Sequence, residues 1–171
     1  DADILIYCIS KVVAARDAGV KIHANDHVNM SQSSNDVIPS AIQVGATLAA
    51  SEYLLPALVH LRRAIERRAR EFRRIPKTGR THLMDAMPLT FGQEFEAWAA
   101  QLRSNAERIE DALKRMRRLP LGGTAVGTGI NADPKFGPHA AAELKKMTGV
   151  KFVAADNYFE GISSQDAAVE L

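Results

Sequence analysis

The chain has 171 residues, 46% of them hydrophobic and 25% charged, with a net charge of +2. This suffices for one domain with a real core, is ordinary for a soluble globular protein, and argues neither for nor against a nucleic-acid partner. Cys8 is the single cysteine, which excludes an internal disulfide framework and a cysteine-based zinc site, and no apolar run is expected to reach the roughly 20 residues of a membrane span.

Aromatic residues are scarce and alanine is abundant, a balance that suits closely packed helices better than sheets. Residues 1–16 read as a short helix or, through the apolar patch at 4–9, a strand. Residues 17–32 are polar and loop-like. A helix then begins near Ser34 or Asn35, both good capping types, with Asp36 in the first turn where the dipole favours negative charge. Leu54, Leu58, Leu61, Ile65, Ala69 and Phe72 follow at spacings of three and four, so the helix is expected to exceed thirty residues and to kink at Pro56. Pro76, Gly79 and Pro88 interrupt the pattern, and residues 74–90 read as a loop. A second long helix covers about 90–118. Its stripe runs Phe91, Phe95, Trp98, Leu102, Ala106, Ile109, Leu113, Met116, and its charge passes from acidic to basic along the dipole. Pro120 ends it, a glycine-rich loop covers 122–129, a shorter helix spans 136–148 up to Gly149, and Ser163 to Leu171 reads as a helix start.

The densest chemistry lies in His23-Ala24-Asn25-Asp26-His27-Val28-Asn29-Met30-Ser31-Gln32-Ser33-Ser34-Asn35-Asp36. Ser33, Ser34 and Asn35 sit where a helix exposes unpaired N–H groups and partial positive charge, a ready site for a carboxylate or phosphate; the plain alternative is a simple cap. Lys77-Thr78-Gly79-Arg80-Thr81-His82 gathers two cations, two hydroxyls and an imidazole, which titrates near neutrality. There Lys77 and Arg80 could hold an anion and Asp85 could orient the ring; the alternative is a solvated loop with a structural histidine. His23 and His27 have a spacing that needs a helix to bring both rings together, and the segment precedes the helix, so no metal is expected. The loop at 122–129 lacks the endings of a phosphate-binding loop and reads as a tight connection, although its Thr-Gly pairs could line a site. The arginine cluster between Arg62 and Arg74 is interrupted by Glu66 and Glu71 and has no aromatic platform, so it reads as a solvated helix face rather than a nucleic-acid surface.

Taken together, the first block, the run Lys77 to Glu94 and the run Gly122 to Asn131, with Asn157-Tyr158-Phe159-Glu160, resemble class II fumarase within the fumarase/aspartase superfamily. Ser-Ser-Asn at 33–35 and Gly-Arg-Thr-His at 79–82 favour fumarase over the aspartate ammonia-lyases, which typically carry Ser-Thr-Asn and Gly-Arg-Thr-Gln. The resemblance implies an all-α fold, a long-helix bundle forming part of the family's central helical domain over residues 22–171, with 1–21 poorly matched. It implies a hydro-lyase for the parent protein: reversible hydration of fumarate to L-malate without a cofactor or metal. Ser33, Ser34, Asn35 and Thr81 would bind substrate, His82 would transfer protons and activate the added water, and His23, Asn25 and Asp26 would form a second dicarboxylate site. It further implies a cytoplasmic homotetramer (mitochondrial matrix in a eukaryote) with neither nucleic acid nor membrane as partner. Ala24 stands where the family commonly has proline. The family's serine loop is not present in the chain, which is therefore expected to be a truncated, inactive fragment alone. The rival readings are another lyase of the superfamily, such as an ammonia-lyase or a cycloisomerase, or a non-catalytic helical oligomerisation module.

Overall fold

The computed structural model describes residues 19 and 21–171, so the expectation for residues 1–16 lies outside the described part. The chain divides into two compact units, one formed by residues up to Leu48 with Leu113–Leu171 and the other by Ala49–Ala112.

In the first unit, a π-helical turn at Ala24–Val28 interrupts what reads in sequence as loop. Helix α1 covers Ser34–Ala49 and begins at the expected residues. It places Asp36, Pro39, Ser40, Gln43 and Thr47 in the interior. One window of the continuous helix Ser34–Glu71 is long and apolar enough to pass for a membrane span (mean hydropathy 1.3), which the sequence reading did not anticipate. Only 17% of that window is buried, and the buried residues along the helix include the polar Asp36, Ser40, Gln43 and Thr47. Strands β3 (Arg118–Leu119) and β4 (Val153–Ala154) pair in parallel and flank α4 (Phe136–Thr148). Gly149 closes α4 in the left-handed conformation, φ 75°, its N–H donating to the Lys145 carbonyl, as its position after the apolar pattern predicts. Leu119, Ala141 and Phe152 form a small core, flanked by Val44, Leu121, Leu144 and Val150. Short helices α5 (Tyr158–Ser163) and α6 (Asp166–Glu170) complete this unit. Asn157 caps α5 by accepting from the Phe159 and Glu160 N–H groups.

In the second unit, a π-helical turn at Ala50–Leu54 leads into α2, Leu55–Glu71. Here the Leu55 N–H reaches the Ala50 carbonyl, five residues back. Pro56 thus falls in the first turn of a regular helix, and a widened turn stands where the sequence predicts a proline kink. Helix α3 spans Phe91–Met116, within two residues of expectation, and crosses from this unit into the first. A capping box starts it: Thr90 N–H donates to Gln93 Oε1 and Gln93 N–H to Thr90 Oγ1. Phe72, Phe91, Phe95 and Trp98 form an aromatic row, with centroids 5.2–6.2 Å apart.

Residues 74–90 are not a loop. They form an antiparallel hairpin, β1 (Pro76–Thr81) and β2 (Met84–Thr90), irregular between Thr78 and Arg80. Gly79 lies at that irregularity, where a Cβ would stand 2.4 Å from the Met87 carbonyl oxygen.

Candidate active site

Ser33 caps α1. Its Oγ accepts the Asn35 N–H (3.2 Å), and its own N–H donates to Asp36 Oδ1 (2.9 Å), so Ser33 caps the first turn while Asp36 reaches back to the cap residue. Both remaining predicted residues, Ser34 and Asn35, are exposed at this helix end. The Asn35 amide is committed on one side, donating to the Ala125 carbonyl at 2.7 Å. Ser33, Ser34 and Asn35 are therefore brought together as donors around a helix N-terminus, the arrangement that favours a bound carboxylate.

Asp36 does more than place negative charge in the first turn. It is fully buried (0% exposed), and its second oxygen, Oδ2, accepts the N–H groups of Gly122 (3.0 Å) and Thr124 (2.9 Å). Both loop residues have positive φ, 108° and 57°, and two backbone donors converge on one oxygen. Such convergence makes an anion-binding concavity. The glycine-rich loop is thus a cradle after all, filled by the protein's own carboxylate. Three donated hydrogen bonds offset the desolvation of a buried charge. Tyr158 sits against the same loop: a Cβ on Gly122 would lie 3.3 Å from its hydroxyl, and one on Gly123 would lie 2.7 Å from its Cβ. Burial pushes the Tyr158 phenol above its ordinary value, and the Asp36 charge adds to that shift.

The sequence offered Asp36 only as a first-turn charge, and Gly122, Thr124 and Tyr158 only within a glycine-rich loop and family-like runs, none of them as a named binding or catalytic residue. One signal was present: Ser33-Ser34-Asn35-Asp36 has the hydroxyl-x-x-acid spacing of a capping box.

Thr81 and His82 lie in the other unit, at the tip of the β1–β2 hairpin. Thr81 pairs with Met84, and His82 and Leu83 form the two-residue turn. Both turn residues have positive φ, 54° and 61°, as a mirror-image hairpin turn requires, although neither is glycine or asparagine. Such a conformation costs about 1–2 kcal/mol at an ordinary residue. The tip is open: His82 is exposed and Leu83 fully so. The neighbouring charges are otherwise engaged. Arg80 pairs with Asp85 across the hairpin at 3.2 Å, so Asp85 holds Arg80 where the sequence suggested it would orient the histidine. Lys77 pairs with Glu94 at 2.6 Å and lies 5.3 Å from the Phe91 ring centre, which makes it an anchor for the hairpin base where the sequence suggested an anion ligand.

At the π-helical turn, His23 and Asp26 are adjacent, with Nδ1 3.1 Å from the carboxylate. The Asp26 N–H also points at that nitrogen, 3.3 Å away. These contacts exclude each other: a protonated Nδ1 donates to the carboxylate, and a bare Nδ1 accepts the amide. Both side chains are exposed, so the pair is weak. His27 is also close, its Nδ1 accepting the His23 N–H at 2.9 Å; the helical turn that the sequence reading denied to this pair is present. The Asn25 side chain lies outside the described part.

A separate cavity of about 400 Å³ in the first unit is lined by Gln43, Arg115, Arg118, Asn157, Glu160 and Glu170, among others, and by none of the residues singled out from sequence as binding or catalytic. Arg115 and Glu170 form a two-pronged ion pair at its edge.

Comparison with known proteins adds three findings. A family model described as lyase matches residues 5–171. A class II fumarate hydratase of Xylella fastidiosa is 59% identical over 159 residues, 93% of this chain and 34% of that protein, and one of Pseudomonas aeruginosa is 50% identical over 157 residues, 92% and 34%. The crystal structure of a class II fumarase from Schistosoma mansoni superposes with a TM-score of 0.84 at 33% identity, covering 88% of this chain and 34% of that one. The chain thus spans about a third of the length of the relatives it matches.

Proposed function

The chain belongs to the lyase family, and on that premise we propose that it carries part of the active site of a fumarate hydratase. In the reaction, water adds hydroxyl to one alkene carbon of fumarate and a proton to the other, giving L-malate. Ser33, Ser34 and Asn35 bind a substrate carboxylate, Thr81 contacts substrate, and His82 takes a proton from the attacking water. The observation that carries this reading is the capped end of α1, where two hydroxyls, an amide and a helix N-terminus gather at an exposed spot. Negative charge builds on the carboxylate in the transition state, and preorganised donors stabilise it selectively there. Names of relatives at 59% and 50% identity support the same assignment. His23, Asn25 and Asp26 form a second dicarboxylate site away from the catalytic one. The whole protein acts as a cytoplasmic homotetramer without a cofactor, a nucleic-acid partner or a membrane.

The test is a chimera in which residues 22–171 replace the matching third of the Xylella relative, with fumarate loss followed by ultraviolet absorbance. The chimera is expected to hydrate fumarate, and its His82→Gln variant to lose activity by about 100-fold or more, the scale of a general base. A folded tetrameric chimera that forms no malate refutes the proposed function; undiminished activity in the variant removes His82 from the chemistry.

A further inference from the structure

We propose that Asp36 is a positioning residue, whose buried carboxylate locks the glycine-rich loop and the first turn of α1 into one rigid unit and so sets the geometry of Ser33, Ser34 and Asn35. The inference rests on the proposed function for its catalytic consequence, and on the geometry alone for the coupling itself.

One carboxylate serves both elements at once. Oδ1 holds the Ser33 N–H, and Oδ2 holds the Gly122 and Thr124 N–H groups, which lie 86 and 88 residues away in sequence. A second tie runs beside it, from the Asn35 amide to the Ala125 carbonyl. The helix start and the loop therefore meet through three hydrogen bonds of 2.7–3.0 Å, two of them to a charge with no exposed surface. Such a link is strong because its loss strands buried donors. A loop with four positive-φ positions, three of them glycines, has little preference of its own for this shape, so the carboxylate holds it there. The exposed surface beside the serines then includes Ala125 and Val126 on the far side of the Asn35 tie. Asp36 touches no solvent, so it acts through these backbone groups and not on substrate.

Two measurements test this. In the 171-residue chain, amide hydrogen exchange is read at Ser33, Gly122 and Thr124. Asp36→Asn puts an NH2 against at least one donor, and exchange at these amides is expected to speed up on the order of tenfold or more, the scale of a lost charge-assisted bond. If Asp36→Asn does not fold, the exposed Asn35→Ala loosens the same loop from its other tie and should speed exchange at Gly122 and Thr124. Unchanged exchange in either folded variant overturns the coupling. In the chimera, Asp36→Asn is expected to lower kcat/KM about 100-fold with the tetramer intact, as sub-ångström misplacement of binding groups does. A folded Asp36→Asn chimera with parental kcat and KM, or one whose kcat/KM falls while exchange at Ser33, Gly122 and Thr124 is unchanged, refutes the positioning role. An inactive parental chimera instead refutes the proposed function and leaves the exchange result to decide the coupling.

Discussion

Replacing Gly92 by alanine sets two opposed effects against each other at one atom. Gly92 lies in the first turn of α3, buried, with its N–H donating to the Phe72 carbonyl. Helix propensity favours alanine over glycine by about 1 kcal/mol. Packing opposes it: the new Cβ would stand 2.5 Å from Arg73 Cα, 2.9 Å from the Ala69 carbonyl oxygen and 3.1 Å from Arg73 Cβ. Two of these are backbone atoms, which cannot swing aside, and Ala69 is only 1% exposed. Overpacking of this kind costs about 1–3 kcal/mol, and rigid neighbours place Gly92→Ala at or beyond the upper end. The net expectation is a loss of about 2 kcal/mol, or a Tm lower by roughly 4–8 °C for a chain of this size. Gly45→Ala is the internal control. Gly45 is exposed in α1 with nothing within 4 Å of an added Cβ, so propensity acts alone and stability should rise by about 0.5–1 kcal/mol. Unfolding by heat and by urea, followed by far-ultraviolet circular dichroism, measures both. A Gly92→Ala chain as stable as the parent would refute the claim that α2 and α3 approach too closely there for any side chain.

Two further outcomes follow from individual residues. Tyr158 has a folded pKa above its ordinary value of 10.0, so its contribution to stability is complete below that value and is lost as pH rises through it toward the folded pKa. Urea midpoints measured across this range should fall on the alkaline side and fall less steeply in Tyr158→Phe; identical slopes would remove Tyr158 as the cause. His82→Gly relieves a positive φ at the hairpin tip and should stabilise the 171-residue chain by about 1 kcal/mol while abolishing hydration in the chimera. Thermal unfolding and malate formation together check this, and a destabilised His82→Gly chain would show that the turn carries no strain.

The long helices were legible because their signals are local. The stripe from Phe91 to Met116 repeats every three or four residues, Gly149 closes α4 where its pattern stops, and Ser33 to Asp36 carries the spacing of a cap. The hairpin was not legible. Its strands carry Pro76, Pro88 and several charges, all eight residues 81–88 are exposed so that no buried face sets a register, and its turn is built from His82 and Leu83, which do not advertise a mirror-image turn. Lys77 and Arg80 likewise looked available for an anion until Glu94 and Asp85 were seen to hold them.

Taken alone, the sequence determined the residue types of the candidate site, the helix that begins at Ser34 beside Ser33 and Asn35, and the family resemblance, since each depends on neighbours within a few positions. Only tertiary structure decided what Asp36 does. A carboxylate in a first turn reads as a favourable charge on a dipole. That its second oxygen would bind Gly122 and Thr124 across more than 80 residues depends on where the chain returns, and no local pattern encodes that return.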